Sequence, residues 1–419
     1  MTSSSSAVII GGGAIGLCCA YYLRERGIDV TLLDKSEIGH GCSLHNAGYI
    51  APSHFIPLAH PGVITQGLRW LLDPESPFYI KPRLNAELIS WVWQFKKSST
   101  RQHVERSMGL LRDLGQESLR LFEELAGLDG IGFELVKKGL LMLSITEKGR
   151  SGLCEEVELA HQLGIRAEIL SAADLQVLEP GVRFRATGAI YFPDDAHIAP
   201  ARFVEAIRSV IAHRGVQIKT DTEVVGFETG NGAVRAVQTT RGKIGGDLFV
   251  LAGGAWSPAL VRDLAITLPL QAGKGYSITY EQPASKPSIP MILTEARVAI
   301  TPFGDSLRFA GTMEMAGLDL SITQRRVNAI LNAVPRYIEG LVPGTRHQAS
   351  IWGGLRPVTP DGLPYIGRFR RFHNLVAATG HAMVGITLAT VTGRLVAEIA
   401  TGAATSLDIR ALHPDRFSA

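Results

Sequence analysis

Cysteine is scarce in this chain: 419 residues contain four, Cys18, Cys19, Cys42 and Cys154. None forms a C-x-x-C pair, and neighbours on a helix point in different directions. Neither a disulfide framework nor a redox dithiol is expected, and the thiols read as reduced and buried in a cytoplasmic setting. The twelve histidines show no H-x-H or H-E-x-x-H spacing, so no metal is expected. An excess of charge of one sign is also missing. Forty-two Lys and Arg against 39 Asp and Glu leave a net charge of +3, and no basic cluster interleaves with aromatics, which argues against nucleic acid as a partner. No run approaches eighteen uncharged apolar residues, which excludes a membrane-spanning helix. The start, Met1-Thr2-Ser3-Ser4-Ser5-Ser6, has neither the basic nor the apolar region of a cleavable signal.

Glycine, by contrast, is abundant, with 45 residues, and its placement near the start carries information. The apolar strand Ala7-Val8-Ile9-Ile10 runs into Gly11-x-Gly13-x-x-Gly16. A helix follows as far as Arg26, Gly27 stops it, and a second apolar run, Val30-Thr31-Leu32-Leu33, ends at Asp34 and Lys35. Gly11 allows the tight turn, Gly13 lets a pyrophosphate approach the backbone, and Gly16 lets the helix pack closely on the strand. The phosphates would face the first-turn N–H groups of a helix starting near Ala14 and Ile15. Asp34, eighteen residues past Gly16, stands where a carboxylate reaches a ribose hydroxyl pair. The pattern predicts a dinucleotide site.

The length allows two or three domains. Residues 39–62 are rich in Gly, Ser, Pro and His and read as a loop region directly after the nucleotide unit. Residues 85–127 carry apolar residues at helical spacing. Gly139–Ile145 is read as a strand, Glu155–Leu163 and Arg202–Arg214 as helices. Asp247–Leu251 is read as a buried strand entering Ala252-Gly253-Gly254-Ala255-Trp256-Ser257. Residues 267–315 alternate like an antiparallel sheet, with Lys274–Tyr280 and Leu307–Gly311 as strands. Residues 321–341 are read as helical, and the chain closes with a strand at Leu375–Ala378 and a helix from about Val384 to Thr401. An α/β class follows, its nucleotide domain assembled from separated segments (1–84, 190–265 and 350–419) around a second domain (85–189 and 266–349).

Five segments together resemble the FAD-dependent D-amino-acid dehydrogenases and their glycine oxidase and sarcosine oxidase relatives. They are Gly11-x-Gly13-x-x-Gly16; Gly41-Cys42-Ser43-x-x-Asn46-Ala47-Gly48; Leu251-Ala252-Gly253-Gly254; Gly354-Leu355-Arg356-Pro357-Val358-Thr359-Pro360-Asp361-Gly362; and Thr379-Gly380-His381. The segment from Asn46 to Trp70 is most similar to the bacterial D-amino-acid dehydrogenase branch. The resemblance implies a Rossmann-type FAD-binding domain and a substrate domain whose antiparallel sheet, with flanking helices, roofs the flavin. It implies oxidation of a D-amino acid to a 2-oxo acid and ammonia. Glycine, sarcosine or a cyclic imino acid such as proline or hydroxyproline is the alternative substrate. Relatives with covalent FAD use a late cysteine. No cysteine follows Cys154, so the FAD is expected to be noncovalent.

With flavin supplying the redox chemistry, the protein must orient the substrate and place positive charge. Arg356 is the candidate for the substrate carboxylate, because its fork matches a carboxylate bidentately; the alternative is a structural salt bridge. Arg308 is a second candidate, read instead as an outward or sheet-edge charge. Tyr276 either bonds the carboxylate or fills the core. Tyr49 and His54 either line the substrate entrance or pack the loop. The resemblance places Ser43, Asn46, Ala47, Gly48, Gly253 and Gly254 against FAD, and Gly380, His381, Gly385, Ile386 and Thr387 at the flavin's pyrimidine edge. Val225 or Val224 would pack on the adenine. The electron acceptor is expected to be a quinone or oxygen. Trp70, Leu71, Leu72, Phe78, Tyr79, Trp91, Val92 and Trp93, beside Lys81, Arg83, Lys96 and Lys97, suggest peripheral contact with the inner face of a membrane, or simple packing.

Overall fold

The computed structural model describes residues 5–71, 75–81, 83, 85–341 and 349–418, without the side chains of residues 68, 69 and 71; Leu72 therefore lies outside the described residues. Six strands form the nucleotide sheet in the order Gln217–Lys219, Asp29–Leu33, Ser6–Ile10, Leu248–Leu251, Leu375–Thr379, Tyr365–Arg368. All its pairings are parallel except the last. Its central strands are apolar throughout because both faces are covered. On one face the helices Ala14–Glu25, Pro200–His213 and Ala389–Thr401 share a core with Ile9, Leu32 and Val250.

A nine-stranded sheet of the described residues forms the second layer. It runs Ala349–Val358, Gln271–Glu281, Ser306–Met315, Val298–Phe303, Met291–Leu293, Leu140–Ser144, Gly188–Phe192, Glu168–Leu170, with Phe78–Ile80 pairing onto Ser306–Met315. Helices Ala172–Leu178 and Gln324–Ala333 cover one face with Tyr276, Ile278 and Tyr280. Helix Glu147–Gln162 packs Leu153 and Val157 against Met142 and Ile190.

Several boundaries differ from the sequence expectation. The strand Ala349–Val358, assigned by segment to the nucleotide domain, pairs along its whole length with Gln271–Glu281. Arg356 therefore hangs from the substrate sheet. The long helix Arg101–Ala126, assigned to the substrate domain, puts Phe122 and Leu125 into the nucleotide core and Leu114 and Leu121 against Leu388 and Val391. Only Gln324–Ala333 of residues 321–341 is α-helical, before a 3-10 turn at Val334–Arg336. Pro335 explains the change, since it removes a backbone donor. The last helix starts at Ala389 rather than Val384, and residues 384–388 form a turn in front of it.

Candidate active site

The two sheets enclose a cavity of about 2230 Å³. Small-molecule pockets usually span about 300–1,000 Å³, so the space suits a dinucleotide together with a substrate.

At the nucleotide end the glycine turn behaves as its spacing predicts. Gly11 takes a φ of +113°, and a Cβ there would strike the Ala252 carbonyl. A Cβ on Gly16 would strike the Gly11 carbonyl, so Gly16 serves the packing and does not line the cavity. Gly13 does line it, and a Cβ there would meet only the Ser43 hydroxyl, at 3.3 Å. That open cradle is what a pyrophosphate needs beside the helix start. Ala14 and Ile15 line it too, and Ser43 accepts from the Ala14 N–H at 2.9 Å. Asp34 accepts from the Gly12 N–H at 2.7 Å and from the Ser36 N–H at 2.9 Å. It also accepts from the Ser36 hydroxyl at 3.1 Å, and it borders the cavity. The Lys35 ammonium lies 3.8 Å from the Trp256 ring centroid, and both residues line the wall with Gly253 and Gly254. Val225 is exposed on this wall, whereas most of the Val224 surface is buried in the core beneath it.

Elsewhere along the cavity two loops supply unpartnered backbone donors. His381, Gly385, Ile386 and Thr387 line the cavity. The turn uses the N–H groups of Val384 and Leu388, leaving those of Gly385, Ile386 and Thr387 without a protein acceptor among the described residues. Gly380 points the other way. At φ +81° its Cβ would strike Thr359 and Tyr365, so it shapes the turn and does not line the cavity. His381 is buried with one ring nitrogen 2.9 Å from the Thr392 hydroxyl, and desolvation holds its pKa down to about 3. Asn46 and Ala47 line the cavity as well, while Gly48, at φ +77°, abuts the Ile198 carbonyl outside it. Of the four cysteines only Cys42 borders the cavity. Its thiol donates to the Leu355 carbonyl at 2.6 Å, and burial pushes its pKa up to about 11.

Arg356 reaches into the cavity from the sheet. It lies opposite Gly273 in the register and stretches over Gly275, where a Cβ would occupy the place of the guanidinium. One N–H donates to the Thr312 carbonyl at 2.5 Å. Thr312 sits at a register shift in its strand with φ +67°, strained for a β-branched residue. No carboxylate pairs with Arg356 among the described residues, and burial is the main force lowering its pKa. The expected alternative, a salt bridge across the junction, is absent among those residues. The acid of the same motif, Asp361, is spent elsewhere: both its oxygens accept from Arg416.

The other sequence candidates are not brought to Arg356. Tyr276 lies at the alternate position of its strand, opposite Gly353, so it faces away from Arg356. It still borders the cavity, but its phenol donates to buried Glu314 at 2.8 Å, beside buried Lys274, whose ammonium also bonds the solvent-facing Asp319. Tyr49 lines the wall, its hydroxyl donating to the Met291 carbonyl at 2.8 Å. His54 lines it as well, kept neutral by burial that pulls its pKa to about 4. Arg308 is not an outward charge: it is 8% exposed and donates to the carbonyls of Leu44 and Asn46. Nothing in the sequence marks the Thr312 carbonyl, because a backbone oxygen carries no side-chain signature.

A two-layer α/β fold, a pyrophosphate cradle and free N–H groups at a second loop define a flavin-binding oxidoreductase. The chain matches the FAD dependent oxidoreductase family over residues 6–399 and belongs to it; its cofactor is FAD. It is 33% identical to a D-amino acid dehydrogenase of Methylobacterium nodulans over 95% of both chains. It is 32% identical to one of Vibrio vulnificus, over 94% of this chain and 96% of that one. Its fold is similar to glycine oxidase from Geobacillus kaustophilus, with a TM-score of 0.79 at 23% identity over 99% of both chains. It is also similar to L-proline dehydrogenase from P. horikoshii, with a TM-score of 0.75 at 21% identity over 100% of this chain and 98% of that one.

Proposed function

We propose that this protein oxidises D-amino acids to 2-oxo acids and ammonia. The observation that carries the reading is Arg356, a cavity-facing guanidinium without an acidic partner among the described residues. An unpaired, half-buried cation is costly unless a ligand supplies the counter-charge, and an amino acid brings a carboxylate. Relatives named D-amino acid dehydrogenase over nearly the full length support this substrate class. FAD held in this cavity would supply the two-electron oxidation of the substrate's α-carbon–nitrogen bond, and hydrolysis of the oxidised product by water would give the 2-oxo acid and ammonia. The Arg356 fork holds the carboxylate, and the Thr312 carbonyl fixes that fork over Gly275. The free N–H groups of Gly385, Ile386 and Thr387 stabilise negative charge on the reduced cofactor. Tyr49 and His54 bound the substrate space. Gly11, Gly13, Ala14, Ile15, Asp34, Lys35, Ser43, Asn46, Ala47, Val225, Gly253 and Gly254 hold FAD without a covalent bond, and the bonded Cys42 thiol supports this.

Anaerobic mixing with a panel of D- and L-amino acids, glycine, sarcosine and proline tests the reading. Flavin bleaching by D-amino acids is the expected result. Bleaching confined to L-enantiomers, glycine, sarcosine or proline would overturn it. Admitting oxygen or a quinone then identifies the acceptor by the faster recolouring.

A peripheral membrane contact is supported by helix Ala86–Ser98, which exposes Ile89, Val92 and Trp93 beside Lys96 and Lys97. Trp91 is excluded from that role, being buried with its indole N–H donating to the Val358 carbonyl. No helix among the described residues is long and apolar enough to cross a membrane. Flotation with anionic vesicles, lost in Trp93→Ala, is the expected outcome; protein wholly at the bottom at low salt would refute the contact.

A further inference from the structure

We propose that Arg308 is a positioning residue that sets the 44–48 turn for the flavin and whose uncompensated charge makes the bound flavin easier to reduce. The inference rests on the FAD site and not on the identity of the substrate.

Arg308 stands on the substrate sheet, yet two of its bonds go to the loop that follows the nucleotide unit. One guanidinium nitrogen donates to the Asn46 carbonyl at 2.7 Å and the Leu44 carbonyl at 3.1 Å. Its Nε donates to the Thr279 hydroxyl at 3.0 Å, and the Phe303 ring lies beneath it with 5.0 Å to the centroid. From the neighbouring strand, Thr301, fully buried, donates to the Ala47 carbonyl at 2.8 Å. The sheet thus pulls the carbonyls of residues 44, 46 and 47 to one side.

A trans peptide is planar, so the N–H of residue i+1 points opposite to the carbonyl of residue i. The N–H groups of His45, Ala47 and Gly48 are therefore turned away from the sheet. Asn46 takes that of Gly48 at 2.8 Å. Those of His45 and Ala47 have no protein acceptor among the described residues, and both residues line the cofactor cavity. Two peptide donors held at fixed orientation suit a cofactor that gains negative charge on reduction.

The charge itself acts in the same direction. Among the described residues no carboxylate forms an ion pair with Arg308, and the acid that influences it, Glu281, is exposed to solvent. Such a fixed positive charge in a poorly screened site favours the reduced, more negative flavin.

The test uses the purified holoenzyme and needs no amino-acid substrate. FAD affinity is read from flavin fluorescence on dilution, and the midpoint potential from equilibration with a redox dye and a chemical reductant. Arg308→Met is expected to weaken FAD binding about ten- to a hundredfold and to move the potential to more negative values. Arg308→Lys should weaken FAD binding while keeping a potential close to wild type. Thr301→Val, nearly isosteric, should weaken FAD binding without moving the potential. A folded Arg308→Met protein with only a lower Tm, its FAD affinity and potential unchanged, would overturn the proposal. Should Arg308→Met fail to fold, the other two variants decide. Unchanged FAD affinity in Thr301→Val, or a potential in Arg308→Lys displaced from wild type, would overturn it equally.

Discussion

Arg356→Met removes the guanidinium and keeps much of the side-chain volume. The wild-type fork offers five N–H donors, and one is spent on the Thr312 carbonyl, which leaves a parallel pair for a carboxylate. Two charge-assisted bonds at about 1.5–3 kcal/mol each bound the loss at roughly 3–6 kcal/mol. Partial solvation in an open cavity pulls this toward the 2–5 kcal/mol typical of a charge left without its partner. The expected fall in kcat/KM for a D-amino acid is therefore about thirty- to several-thousand-fold. FAD content should be unchanged, because the pyrophosphate cradle and the 385–387 turn lie on other segments. Arg356→Lys should recover only part of the activity, since an ammonium cannot bond both carboxylate oxygens and Thr312 in one plane. Steady-state kinetics with a D-amino acid and with the corresponding amine lacking the carboxylate make the assay specific. The amine should be poor for wild type and lose little further in the variant. An Arg356→Met protein that retains FAD and oxidises D-amino acids at a near-normal rate would refute the assignment.

Gly275→Ala should act on the same step from behind. The new Cβ occupies the guanidinium's place, so KM should rise about tenfold or more while FAD is retained, which kinetics and absorbance check together. Tyr276→Phe should leave KM within about threefold of wild type and cost about 1 kcal/mol of stability in denaturant unfolding, because its phenol bonds Glu314 rather than substrate. Acid precipitation should leave the yellow colour in the supernatant; colour in the pellet would show a covalent bond. The native His381 pKa, held near 3, lies below the unfolded value of about 6.5. Between those values the unfolded chain binds the extra proton, so stability falls as pH drops from about 6.5 toward 3. His381→Asn should therefore lose less Tm than wild type between pH 6.5 and 4.

Much of this protein was legible locally. The strand, glycine turn, helix and carboxylate from Ser6 to Asp34 form as read, because backbone sterics at Gly11 and close packing at Gly16 act within a few residues. Cavity-facing Arg356 was legible through its motif. The direction of Arg308 was not, because its strand, Ser306–Met315, is covered on both faces and nearly every position is buried. Alternation then carries no in-or-out signal. Tyr276 faces away from Arg356 because of the register between Gln271–Glu281 and Ala349–Val358, a pairing of residues about eighty apart in sequence. The pairing of Ala349–Val358 with Gln271–Glu281 was hidden for the same reason, since that strand finds its partner only in the folded molecule. The sequence by itself determined the dinucleotide unit, whose constraints are short-range. That Arg356 faces the cavity while Arg308 bonds the carbonyls of Leu44 and Asn46 was decided by long-range strand pairing, and only the tertiary structure sets that.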